Sequence, residues 1–306
     1  MSYLKSHINT LKPVIHWAKI FFTPLAFTFL SYFFWQSRAE LGITFQQANP
    51  IWLISSITLW MLLHFISPLF TIIVFSGCSL SLNYSKAFCI HSKRLPAKYL
   101  PGGIWHTVAR AADYHQHGFE PRYVGSYLLI ENLVVAAITL ALGGSLVVNL
   151  INESLWLILV GMLIIGGLCF IFLLPWLVNK HLLPVHATLR KLPYYSGVCC
   201  LLIYWLVAAS AFICFLKAFP ALSLAVSYLI AGGVYIFSWG IGFITLFAPQ
   251  GIGVSEFISE KLLGTNTSSS HFIALLASFR VIVLSADLMT YGFSKIAFYK
   301  KNRFFN

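Results

Sequence analysis

The chain has 306 residues, of which 59% are hydrophobic and 9% charged, and a formal net charge of +12. A water-soluble domain carries about 25% charged residues, so this composition excludes a soluble globular enzyme and calls for an integral membrane protein. The Lys and Arg residues lie between apolar runs rather than in a compact basic domain, so they read as loop charges that orient membrane helices, and nucleic acid is excluded as a partner.

Residues 1–19 carry Lys5, Lys12 and Lys19 and no acid, which places the N-terminus in the cytoplasm. A first helix runs from Val14 or Ile20 to Trp35. The following Gln36 to Glu40 lacks a small-x-small cleavage site, so this helix is read as retained rather than cleaved. Arg38 and Glu40 make the next loop neutral. A second helix spans Ile51 to Phe75, and its Pro68, like Pro24 before it, is tolerable because neighbouring helices satisfy freed backbone groups. Ser76 to Arg122 holds Lys86, Lys93, Arg94, Lys98, Arg110 and Arg122 against Asp113 and Glu120. That stretch is too polar to span and too long for a plain connection, and its basic excess marks it as cytoplasmic.

Further helices are predicted at Tyr123 to Val148, Leu155 to Val178, Gly197 to Phe219, Leu222 to Phe247 and His271 to Phe293. A basic loop, Asn179 to Ser196, separates the fourth from the fifth, and a basic tail follows the seventh. Seven crossings from a cytoplasmic N-terminus would leave that tail outside, against the charge rule. An eighth crossing, or a pair of half-helices in one of two special segments, resolves the conflict.

Those segments are Leu100 to Trp105, with Pro101, Gly102 and Gly103, and Ala248 to Gly253, with Pro249, Gly251 and Gly253. Both read Pro-x-Gly-Ile, and each precedes an apolar run with one lone charge, Glu131 in the first and Arg280 in the second. The expectation is a single all-α membrane domain of about seven or eight helices. It holds two diverged, inverted repeats, about 51–148 and 197–293, each with a Pro-Gly re-entrant or broken helix. A half-helix starting at Gly103 or Gly251 would present free amides to a phosphate or carboxylate, with Trp105 and Phe257 as interfacial anchors.

Glu131 and Arg280 fall near mid-membrane depth, where a charge costs about 2.5–3.5 kcal/mol, so each needs a partner. The reading pairs them with each other, as a structural pair or across a substrate path. Arg110 and Glu256 follow the two Pro-Gly turns by about two helical turns. Arg110 suits bidentate capture of a lipid phosphate, and Glu256 a gate or a partner for Arg110 or Arg280. Asp287 is read as an interfacial acid. His106, Asp113, His115 and His117 are too irregularly spaced for a metal site. The six cysteines show no CxxC spacing and read as reduced packing residues, and no catalytic motif, metal or cofactor is called for.

At these motifs the chain resembles the membrane region of the lysylphosphatidylglycerol synthase/flippase family. Leu100-Pro101-Gly102-Gly103-Ile104 with Arg110 looks like its first re-entrant motif, and Glu131 like the acid after it. Pro249 to Glu256 resembles its P-x-G-hydrophobic-G-x-x-E motif, and Arg280 the late-helix arginine. Two positions depart from the pattern: Asn132 stands where an arginine is expected, and Gln250 where a glycine is common. The resemblance implies an inner-membrane, flippase-like bundle that moves an anionic phospholipid or polyprenyl-phosphate-linked sugar. With the sequence ending at Asn306, no aminoacyl-transferase domain and no aminoacylation are expected. A glycosyltransferase or other envelope enzyme is a possible partner. The alternatives are a membrane-embedded glycosyl or head-group transferase and an accessory subunit of envelope synthesis.

Overall fold

The computed structural model describes residues 28, 31–32, 34–99, 105–184, 187–245, 251–265 and 268–303. Most of the expected first helix lies outside these residues, as do Pro101, Gly102, Gly103 and Pro249. Every regular element among the described residues is helical, and five helices are long and apolar enough to cross a membrane. The chain is therefore an all-α membrane protein.

In chain order the helices are α1 (Arg38–Gln46), α2 (Pro50–Gly77), α3 (Tyr84–Lys93), α4 (Trp105–Gln116), α5 (Pro121–Val147), α6 (Ser154–His181), α7 (Lys191–Lys217), α8 (Tyr228–Ile244), α9 (Val254–Leu263) and α10 (Ser269–Arg303). A 3-10 turn, Leu95–Tyr99, follows α3. The long helices are α2, α5, α6, α7 and α10.

Local chemistry sets the boundaries. Asn49 caps α2 by accepting from the Ile51 amide at 3.0 Å, Pro50 takes the first turn where no amide is needed, and the helix continues through Pro68. The Arg38 segment, expected as a loop, is helical, and His271 ties it to α10 through Glu40 at 3.2 Å. Helix α7 starts six residues before the predicted Gly197. Arg190 pins its start to the Gly77 carbonyl at 3.1 Å, and the buried Tyr194 donates to Ile171 O at 2.8 Å. Helix α8 starts at Tyr228 instead of Leu222, because Leu224 bridges Thr265 and Ser227 serves as the cap.

Two contacts fix the ends of the bundle. Arg190 N bonds Gly77 O at one end, and Asn49 N bonds Ala218 O at 2.7 Å at the other, so α2 and α7 pack antiparallel along their length. Helix α10 runs parallel to α2, with Trp60 on Phe279 and Phe65 near Phe293. Helices α5 and α8 approach so closely that a Cβ on Gly143 would lie 2.5 Å from the Phe237 amide nitrogen. Small residues at such crossings let backbones meet where apolar burial alone gives no drive.

Between these helices the chain makes two inward excursions. The first leaves the Gly77 end at Leu80, bonded to Phe75 O at 2.9 Å, and returns there at Phe119, whose ring lies 4.8 Å from Phe75. In between, Lys98 and Tyr99 reach Asp287 beside His64 on α2. The second is α8 and α9. It enters at Ala225 and returns at Gly264, which accepts from the Ala225 amide at 3.0 Å, while Gly242 and Gly251 touch further in. Neither excursion changes ends, and the two start from opposite ends.

Candidate functional site

Each excursion carries a short helix whose charge meets the lone charge of the next long helix. On α4, Arg110 donates from Nη1 to Glu131 Oε2 at 3.0 Å and from Nη2 to Oε1 at 3.1 Å. The same Nη2 donates to Tyr127, whose hydroxyl donates onward to Glu131 Oε1 at 3.1 Å and accepts from Thr71 at 2.8 Å. The side chains of Arg110 and Glu131 are 5% and 16% exposed, so the pair is deeply desolvated. Two parallel N–H donors match the flat carboxylate in a way a lysine would not.

On α9 the signs are exchanged. Glu256 Oε1 accepts from Arg280 Nε at 2.6 Å, and Arg280 Nη2 donates to Ser255 Oγ at 3.1 Å. Gly251 and Gly253 have φ of +67° and +84°, a region open to glycine and strained for other residues. This turn lets the α9 start fold back, so that Glu256 Oε2 accepts from the Gly253 amide at 2.8 Å. The half-helix end expected to receive an external anion is thus occupied by the protein's own carboxylate.

The expected pairing of Glu131 with Arg280 is not formed. Glu131 is bonded to Arg110 and Tyr127, and the carboxylate facing Arg280 is Glu256. The reason lies in the packing: α4 lies against α5 and α9 against α10, so each deep charge finds its counterion on the short helix preceding its own. Gly251 and Gly253 sit at this second pair, whereas Pro101, Gly102, Gly103 and Pro249 lie outside the described residues. Phe257 is half exposed, and the Trp105 side chain lies outside the described residues.

Around Arg110 the hydrogen bonding is incomplete. Arg110 Nε, His106 Nδ1 and Tyr114 Oη are buried without a partner among the described residues. These residues are spaced i, i+4 and i+8, so they line one face of α4. Buried polar atoms normally find partners, so these three atoms set this face of α4 apart. At the other end of this helix face the network closes again. Arg94 donates to Asp113 from Nε at 2.6 Å and Nη2 at 2.5 Å. Burial would raise the Asp113 carboxyl, but the Arg94 hydrogen bonds and charge outweigh it and hold it below the ordinary value.

No family model matches this chain, and neither does any curated protein.

A second polar cluster was not legible in the sequence. Asp287, expected as an interfacial acid, is 1% exposed and accepts from three side chains. Tyr99 donates at 2.6 Å, Lys98 at 2.8 Å and His64 Nε2 at 2.8 Å. His64 Nδ1 lies 3.1 Å from His91 Nε2, and His91 Nδ1 lies 3.3 Å from Ser67 Oγ. Burial, followed by the charges of His64 and Arg110, pushes His91 well below the ordinary imidazole range, so its ring is neutral. The signal in the sequence was weak but present: His64 is a lone ionisable residue in an apolar run, as Glu131 and Arg280 are. Asp287 looked peripheral because the helix was expected to end near Phe293, whereas α10 continues to Arg303.

Proposed function

We propose that the chain is an inner-membrane translocase for an anionic phospholipid or a polyprenyl-phosphate-linked sugar. The observation that carries this reading is the face of α4, where buried Arg110 and Tyr114 and half-buried His106 hold three buried polar atoms without a partner among the described residues. A guanidinium with a spare N–H beside a hydroxyl and an imidazole recognises oxygen-rich anions, and phosphate is the head-group chemistry that membranes supply. Arg280, on the spanning helix α10 and bonded to Glu256 of the opposite excursion, offers a second cation. Anion exchange between the two would leave each arginine with either its own carboxylate or the cargo, and never bare in a low-dielectric interior.

The topology in this reading has both excursions as re-entrant hairpins entering from opposite faces. Neither contributes a crossing. Five long helices plus the expected first helix then give six crossings, which puts both termini on one side and removes the conflict over the basic tail. The Gly77 end, with Lys86, Lys93, Lys180 and Arg190, is the cytoplasmic face. Repeat one, about 51–148, consists of α2, the first hairpin and α5. Repeat two, about 197–293, consists of α7, the second hairpin and α10. The antiparallel course of α2 and α7, and the opposite directions of α5 and α10, support an inverted relationship.

The test is reconstitution with fluorescent phosphatidylglycerol, phosphatidylethanolamine and a polyprenyl-phosphate sugar, with dithionite quenching from outside. The expected result is protein-dependent movement of an anionic lipid, at least tenfold slower in Arg110→Ala and Arg280→Ala. Movement no faster than in protein-free vesicles for every lipid overturns the reading.

A further inference from the structure

The two short helices of the first excursion face each other across an open groove of about 460 Å³ at the Gly77 end. On α3 it is lined by Lys86, Cys89, Ile90 and Lys93, spaced i, i+3, i+4 and i+7, and on α4 by Asp113, Gln116 and His117, spaced i, i+3 and i+4. Asn83 and Ser85 add to it at the start of α3. Its volume falls within the range of about 300–1,000 Å³ that small-molecule sites occupy.

The charge of this lining is one-sided. Its carboxylate is Asp113, and Arg94 already holds both of those oxygens, at 2.6 and 2.5 Å. Lys86 and Lys93 are exposed and make no ion pair among the described residues. Lys93 and His117 both lie close enough for their charges to act on Asp113, which places them on the same space from two helices. A third lysine reaches in from α10: burial raises the Cys89 thiol, the charge of Lys93 opposes that, and so does the charge of Lys295. Asn83 uses its oxygen on the Ser85 amide at 2.8 Å, which leaves its NH2 group, with the Ser85 hydroxyl and the Gln116 amide, as donors. Cations without counterions beside neutral donors suit an oxygen-rich anion, and a cleft lined by one sign of charge concentrates such anions.

We propose that this groove is a phosphate-binding site, in which Lys86 and Lys93 hold the phosphate and Asn83, Ser85, Gln116 and His117 direct hydrogen bonds to its oxygens. The ligand class is a phosphate mono- or diester. Ammonium groups serve a phosphate as point charges and tolerate many head groups, in contrast to the planar fork of Arg110. His117 lies seven residues, roughly 10 Å, along α4 from Arg110, so the two places are separate and share one helix. A soluble ester reaches the groove from water. A lipid reaches it with its chains in the membrane, past Phe293 and Ile296, which are 54% and 66% exposed beside Lys295. The site does not rest on the translocase reading, since binding needs no movement across the membrane.

The experiment uses the full chain in dodecyl maltoside at low salt. The soluble probes are pyrophosphate and glycerol 3-phosphate, read by equilibrium dialysis. The lipid probes are phosphatidylglycerol and phosphatidylcholine, read by native mass spectrometry of the chain released from detergent. We expect saturable binding of at least one anionic probe, at least tenfold weaker in the double variant Lys86→Gln with Lys93→Gln. Lys180→Gln removes a charge from the same end, over Trp176 and outside the groove, and should change binding less than twofold. Unchanged melting temperatures confirm that the variants are folded, and should the double variant fail to fold, the two single variants are expected to bind about threefold weaker each. Saturation by the soluble probes alone assigns a soluble ester, and retention of phosphatidylglycerol alone, over phosphatidylcholine, assigns a membrane lipid. No saturable binding of any probe, folded lysine variants that bind like wild type, or an equal loss in Lys180→Gln overturns the proposal. Binding by a chain that moves no lipid keeps this site and retires the translocase reading.

Discussion

Replacing Glu131 by Gln removes the charge opposite Arg110 while keeping the shape of the side chain. The guanidinium is then left in a site where its side chain is only 5% exposed. Breaking one member of a buried ion pair costs about 3–5 kcal/mol. Gln keeps one acceptor oxygen and Tyr127 still accepts from Nη2, so the lower end, about 3 kcal/mol, is the expected loss. For a chain of this size each kcal/mol moves the melting temperature by about 2 °C, which gives a fall of about 6 °C. The assay is tryptophan fluorescence on heating in one detergent at one scan rate, because unfolding of such a protein is governed by rate as well as equilibrium. The paired variant Arg110→Met with Glu131→Met should return to within about 2 °C of wild type, since well-packed apolar residues often replace a buried pair without loss. A fall below 2 °C for Glu131→Gln, or a double variant no more stable than the single, would refute this account of the site.

Two other outcomes follow from the geometry. Gly251→Ala places a Cβ 2.8 Å from Gly242 Cα at a φ of +67° and should lower the melting temperature by about 4 °C, for a strain of about 2 kcal/mol. Gly42→Ala, with nothing within 4 Å, should leave it unchanged in the same assay. The Asp113 carboxyl is held below its unfolded value, so its stabilisation is complete above the ordinary carboxylate pKa of about 3.9 and is lost as pH falls through the lowered one. The stability gap between wild type and Arg94→Gln should therefore be constant from pH 7 to about 5 and shrink below about pH 4 in melting curves, and a flat gap down to pH 3 would contradict it.

The long apolar helices were legible because hydropathy at membrane length is a strong signal: Ile51 to Phe75 and Leu155 to Val178 lie within α2 and α6, and Tyr123 to Val148 coincides with α5 to within two residues. The boundaries that slipped are those set by tertiary contacts. Helix α7 gained its first turn from the Arg190 to Gly77 bond, and α8 lost its own to the bridge between Leu224 and Thr265. The deep charges could be counted but not matched. Symmetry suggested Glu131 with Arg280, whereas packing of consecutive elements chose partners 21 and 24 residues away. The Asp287 cluster joins residues up to 223 positions apart, a distance over which periodicity carries no information.

Glu256 folding back on the Gly253 amide has a consequence for any anion that visits this helix end. A carboxylate tethered three residues from the amide it occupies acts as a resident competitor, with an effective local concentration of millimolar or more. A visiting phosphate must outcompete it on arrival and is expelled by it on departure. The protein thereby caps the affinity of this helix end for any anion.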